Sequence, residues 1–139
     1  MRAGGRMEHT TPELLSICPH FIVEEYRASV DYYRDKLGFT AIIEVPEDDP
    51  YFAVVRRSGV TIALKEIASH VPPMPNSSRH EYARWDAFVD TLDPDALYDE
   101  YCAKGVTIHE PLADIEEGLR AFEIQDINGY VLCFGRRLE

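Results

Sequence analysis

The sequence predicts an α+β fold in which two βαβββ modules form a curved mixed sheet around a cleft. Two observations carry this expectation. A strand-like stretch followed by a helical stretch occurs twice, and each helical stretch stops at a glycine followed by a hydrophobic residue and a threonine, Gly38-Phe39-Thr40 and Gly105-Val106-Thr107, with further strand-like stretches beyond. The chain has 139 residues, enough for one good core and too few for two ordinary domains, so the modules are expected to be halves of one domain. Pairing with a second copy is the other way for such repeats to complete a core, and a homodimer is expected as well.

Residues 1–13 lack periodicity, contain a second possible start at Met7, and are expected to form a flexible tail. The first module covers 14–66. Residues 16–23 alternate as a strand, with Pro19 suited to an edge or a bulge because it has no amide hydrogen. Tyr26, Val30, Tyr33 and Leu37 then recur at helical spacing up to Gly38, which can take the left-handed conformation that closes a helix. Stretches 39–45, 51–56 and 60–65 read as strands, separated by Pro46-Glu47-Asp48-Asp49-Pro50 and by Ser58-Gly59.

Residues 67–81 hold Pro72, Pro73, Pro75, Asn76 and a serine pair, a composition that breaks a sheet and marks a linker long enough to let the modules exchange between subunits. The second module covers 82–136. It opens with a strand over 82–90, and Asp93-Pro94 offers a cap and a first-turn proline for a helix striped by Leu97, Tyr98, Tyr101 and Cys102. Stretches 106–109, 119–125 and 130–134 read as strands, the last two joined by the tight turn Asp126-Ile127-Asn128-Gly129.

The net charge of -11 and the scattered basic residues argue against a nucleic-acid surface. No apolar run approaches the roughly 18 residues of a membrane-spanning helix, and 1–13 has no hydrophobic signal core, so no membrane partner and a cytoplasmic location are expected. Cys18, Cys102 and Cys133 form no CxxC pair and no even-numbered disulfide framework, which suits free thiols in a reducing compartment.

Tyr32-Tyr33-Arg34-Asp35-Lys36-Leu37-Gly38-Phe39 at the first helix end and Phe122-Glu123-Ile124-Gln125-Asp126-Ile127-Asn128-Gly129-Tyr130 near the C-terminus, within a duplicated unit, resemble the vicinal oxygen chelate superfamily of glyoxalase I, bleomycin-resistance proteins and extradiol dioxygenases. The resemblance spans about residues 14–136 and implies the glyoxalase/bleomycin-resistance fold. The bleomycin-resistance branch is nearest, since its acidic turn and following strands are similar to Asp48-Asp49-Pro50-Tyr51-Phe52-Ala53-Val54-Val55-Arg56 and Val60-Thr61; Ile127 stands where the family often has proline. One fold hosts many sites, so function must be argued from residues.

The resemblance implies a divalent metal held by four side chains on the first and last strands of the two modules. Carried over, those positions fall on Cys18, Ala63, Arg84 and Cys133. Alanine offers no donor and a guanidinium repels a cation, so neither metal nor cofactor is expected. A substitute zinc set of Cys18, His20, Cys133 and Asp86 lacks zinc spacing, and the two cysteines read more simply as small apolar fillers. A Cys18 nucleophile activated by His20 is disfavoured because same-face strand neighbours lie about 6.5 Å apart. His9, His70, His80 and His109 read as surface or loop residues.

Strand alternation places Cys18, His20, Lys65, Arg84, Asp86, Phe88 and Cys133 on the inner face as candidates for a ligand-binding cleft, with Arg84 and Asp86 expected to pair and Trp85 expected to face the helix. The leading expectation is a metal-free, drug- or metabolite-sequestering protein for a small organic molecule, with cationic ligands favoured by the acidic loops at Glu47, Asp48, Asp49, Asp114, Glu116 and Glu117. Two alternatives stay open: a metal-dependent lyase, isomerase or dioxygenase with an atypical set around His20, Asp86 and Glu123, and a structural or regulatory dimer with a vestigial cleft.

Overall fold

The computed structural model describes residues 11–139; most of the expected tail, and with it the choice between Met1 and Met7, lies outside them. The first unit runs β1 (His20–Ile22), α1 (Tyr26–Asp35), β2 (Thr40–Val45), β3 (Phe52–Arg57) and β4 (Val60–Lys65), and the second runs β5 (Ala87–Asp90), α2 (Pro94–Ala103), β6 (Thr107–Ile115), β7 (Leu119–Gln125) and β8 (Val131–Arg137). The α+β fold of two βαβββ units is therefore present. Its strands form two four-stranded mixed sheets, β1-β4-β3-β2 and β5-β8-β7-β6. In each sheet the first strand of the unit lies parallel to the last, and the remaining pairs are antiparallel.

Both helices start at caps. Glu25 accepts from the Ala28 amide at 2.7 Å and Asp93 from the Ala96 amide at 3.1 Å, each satisfying an amide that the helix leaves free, worth about 1 kcal/mol. Both end at glycines with positive φ, 81° at Gly38 and 73° at Gly105, as the repeated motif requires. Tyr33 and Tyr101 point inward from the two helices and are fully buried. They join Phe21, Leu37, Phe122, Tyr130 and Phe134 in one apolar cluster that draws on both units. Hydrogen bonds fasten the units together: Tyr130 Oη donates to the Ile22 carbonyl at 2.6 Å, and Arg57 pairs with both oxygens of Glu100 at 2.8 and 2.9 Å.

Three strands differ from the sequence expectation. The first is confined to His20–Ile22 because Pro19 cannot extend the ladder, and the fifth begins only at Ala87 because the preceding segment is tied to the linker, where the Asn76 amide donates to Asp86 Oδ1 at 2.8 Å. The sixth runs on to Ile115 through Pro111, accommodated by two register shifts against β7.

Cross-strand partners share a face of a sheet, so the register defines two equivalent rows. In the first unit the row is Ile43, Val54, Ala63, His20; in the second it is Glu110, Glu123, Cys133, Phe88. Each unit carries a bulge at the same place beside its row, with Ile42 as the extra residue in the first and His109 in the second.

Candidate functional site

The second row contains a carboxylate that its strand buries almost completely. Glu123 sits in the middle of β7 with its side chain 3% exposed, and a lone charge there would be costly. Three side chains from two other segments satisfy it. Arg84 Nη2 donates to Oε2 at 2.7 Å, Trp85 Nε1 donates to the same oxygen at 2.8 Å, and His109 Nδ1 lies 2.8 Å from Oε1. Burial pushes the Glu123 carboxyl up, and the hydrogen bonds from Arg84, Trp85 and His109 outweigh it, holding the group below its ordinary value. Arg84 also reaches Glu117 at 2.8 Å, at the turn between β6 and β7, and its guanidinium lies 5.2 Å from the centre of the Trp85 ring.

These residues border a cavity of about 480 Å³ lined by Glu81, Arg84, His109, Glu110, Glu123 and Cys133 together with the apolar Pro111, Ala113, Ile115, Ala121 and Phe122. Its polar groups are mostly acidic, and the charge of Arg84 is already engaged by two carboxylates. Burial pushes the Cys133 thiol up to about 12, so it is a neutral wall group at neutral pH and not a nucleophile.

Of the residues singled out in the sequence, Arg84 and Cys133 meet at this cavity. Phe88 shares the Cys133 face but lines a separate cavity of about 330 Å³ with Leu15, Ile17 and Thr61, and Lys65 lines a third of about 440 Å³ with Asp49 and Tyr51. His20 is exposed in the other sheet, its ring 5.9 Å from that of Phe52, and half-buried Cys18 makes only a 3.8 Å contact to the Pro19 carbonyl. Asp86 does not pair with Arg84: it accepts from the amides of Asn76 and Val131, both at 2.8 Å, and so braces the linker against β8.

One further expectation is corrected and another is extended. Trp85 does not turn toward a helix but toward Glu123, because residues 84 and 85 precede β5 and strand alternation does not apply to them. His109 is exposed, as expected, and it also forms part of the cavity wall, because the bulge turns it toward Glu123. A signal for it exists in the repeat: His109 stands as far beyond Gly105 as Ile42 stands beyond Gly38, a polar residue where the first unit has an apolar one.

The positions carried over for a metal do not fit one. Ala63 is fully buried and has no donor atom, Arg84 brings a cation, and Glu123 and Asp86 have their oxygens engaged by protein donors. Among the described residues no three His, Cys, Asp or Glu side chains converge into a group able to hold a metal ion. None of the helices among them is long and apolar enough to cross a membrane.

Comparison with known proteins agrees with this architecture. The family model described as Glyoxalase/Bleomycin resistance protein/Dioxygenase superfamily matches residues 6–134. No curated protein matches the chain. Among solved structures, TioX from Micromonospora sp. ML1 is similar at 19% identity and a TM-score of 0.69, over 88% of this chain and 98% of that one. The bleomycin-binding protein of Streptomyces verticillus, solved with copper(II)-bleomycin, gives 23% and 0.67 over 91% and 98%. TnmS3, an antibiotic binding protein from Streptomyces sp. CB03234, gives 17% and 0.64 over 91% and 99%. At these identities the likeness establishes the fold.

Proposed function

We propose that this chain, which belongs to the glyoxalase/bleomycin resistance protein/dioxygenase superfamily, binds and sequesters a small organic molecule without a metal. The observation that carries the reading is the fate of the metal positions: Ala63 has no donor, and Arg84 is locked onto the buried Glu123 beside an open cavity of about 480 Å³. Sequestration needs affinity and shape and no chemistry, which suits a pocket with an apolar floor and a few directed polar groups. The carboxylates of Glu81, Glu110 and Glu117 at or near the cavity favour a cationic ligand. Solved relatives named for binding bleomycin and another antibiotic add support by analogy of fold.

In this reading the protein acts as a cytoplasmic homodimer. The unpaired Cys18, Cys102 and Cys133 suit a reducing compartment. Leu14, Leu15 and Ile17 lie more than four-fifths exposed, and Ile42, Ile43 and Val45 are exposed along β2, apolar surface that a second copy would cover. Light scattering on a sizing column tests the dimer, and a single-copy mass at micromolar concentration would refute it.

Calorimetric titration of the purified protein with divalent metals and with a panel of aromatic cations tests the binding function. Saturable binding of an organic cation with no stoichiometric metal uptake is the expected result. Near-stoichiometric metal that is lost in the His20→Ala or Asp86→Ala variant would overturn the reading in favour of an enzyme.

A further inference from the structure

The bulge in β6 carries more than the fold requires. The same backbone step in β2 carries Ile42, so the bulge belongs to the repeat and the imidazole of His109 is an addition to it. Glu123, held ionised, can only accept a hydrogen bond, so His109 Nδ1 at 2.8 Å carries a hydrogen, which in the neutral form of the ring leaves the lone pair on Nε2. Nε2 has no hydrogen-bond partner among the described residues. The ring is partly exposed and lines the cavity, so Nε2 is free to meet a molecule bound there.

The surroundings define what such an acceptor would meet. Ala113 and Ala121 are register partners, and with Cys133 they give the cavity a floor of small side chains that admits a flat molecule. Glu81 and Glu110 favour positive charge on it. We propose that His109 is the specificity-determining residue of this pocket, its Nε2 accepting a hydrogen bond from an N–H group of a flat, cationic aromatic ligand. The proposal rests on the binding function assigned to the same cavity and adds which ligand group is read and by which atom. Glu123 acts through His109 as a positioning residue: by accepting from Nδ1 it fixes the tautomer and the direction in which Nε2 points.

Two dyes test this, thionin and methylene blue, which share a planar phenothiazinium ring and a single positive charge but carry amino N–H groups in the first and N-methyl groups in the second. Calorimetric titration of the native protein is expected to show thionin binding about tenfold more tightly, the scale of one net hydrogen bond. The preference should vanish in His109→Phe and return in part in His109→Gln, which restores an acceptor. A preference that survives in His109→Phe would mean that shape and not the imidazole discriminates, and would overturn the proposal.

Equal, saturable binding of both dyes to the native protein would also overturn it while leaving the binding function standing; failure of both dyes to bind would remove the flat-cation class and the proposal with it. Circular dichroism establishes that each variant folds, and if His109→Phe does not, Glu123→Gln takes its place, with partial loss of the preference expected. Nitrogen-15 NMR gives a check free of any ligand: Nδ1–H is the expected tautomer of His109, and a dominant Nε2–H form would refute the assignment.

Discussion

Two buried carboxylates lie three residues apart in the chain and behave in opposite ways. Glu123 on β7 and Asp126 just beyond it are both almost fully buried, 3% and 5% exposed. Asp126 accepts from Tyr33 Oη at 2.5 Å and from the amides of Asn128 and Tyr130 at 2.8 and 2.9 Å, all neutral donors. Burial outweighs them and pushes its pKa up to about 6. Glu123 accepts from a guanidinium as well as an indole and an imidazole, and its pKa falls. Burial sets the direction when the donors are neutral, and a permanent cation within hydrogen-bond reach reverses it. Asp126 joins the end of β7 to α1 and serves the core, whereas Glu123 faces the cavity and keeps its charge.

The largest test of this contrast is Glu123→Ala, which leaves Arg84, Trp85 and His109 without their common acceptor. It should cost about 3 kcal/mol of stability, because Trp85 Nε1 loses its acceptor while the partly exposed Arg84 keeps Glu117, read by urea unfolding. The emission of Trp85, the single tryptophan in the chain, should shift in the folded variant. A loss below about 1 kcal/mol would show that the cluster is not satisfied in solution as described.

Next comes the pH dependence of Asp126. Its folded pKa lies above the ordinary 3.8, so the folded state favours the protonated carboxyl. The stability this provides is complete below pH about 4 and is lost as pH rises through about 6, a fall of about 2–3 kcal/mol. Asp126→Asn, which keeps an acceptor for the turn amides, should flatten that part of the stability profile, and an unchanged slope would place the titration elsewhere.

Glu123→Gln is a smaller change of opposite sign. The depressed pKa stabilises the fold above the ordinary 4.5 and the benefit is lost as pH falls through the folded value, so native protein should exceed the variant by about 1–2 kcal/mol at neutral pH. The gap should narrow in acid, and a gap that widened there would contradict the assignment. Smallest of all is His109→Ala, at under about 1 kcal/mol in thermal unfolding, because Arg84 and Trp85 still hold Glu123. A loss equal to that of Glu123→Gln would recast His109 as a structural strut.

Much of the fold was legible because its determinants are local and repeated. Helical spacing of Tyr26, Val30 and Tyr33, the Asp93-Pro94 start, the glycine stops at Gly38 and Gly105 and the strands at 60–65 and 119–125 are each written within a few residues, and the duplication tied them into one architecture. The unsuitability of Ala63 and Arg84 for a metal was legible too, since it depends on side-chain type alone. The site was not legible as a constellation. Alternation describes regular strands, and it fails where Trp85 precedes β5 and where the bulge at His109 adds a residue to β6.

By itself, then, the sequence determined the two βαβββ units, the ends of their helices and the unsuitability of Ala63 and Arg84 as metal ligands, because local sterics, periodicity and side-chain chemistry decide those. Only the tertiary structure decided that Arg84, Trp85 and His109 would converge on Glu123 and that Asp86 would turn away to brace the linker. A buried carboxylate must find donors wherever packing brings them, and which distant segments arrive beside it is settled by strand register and by the bulge, neither of which has a local signature.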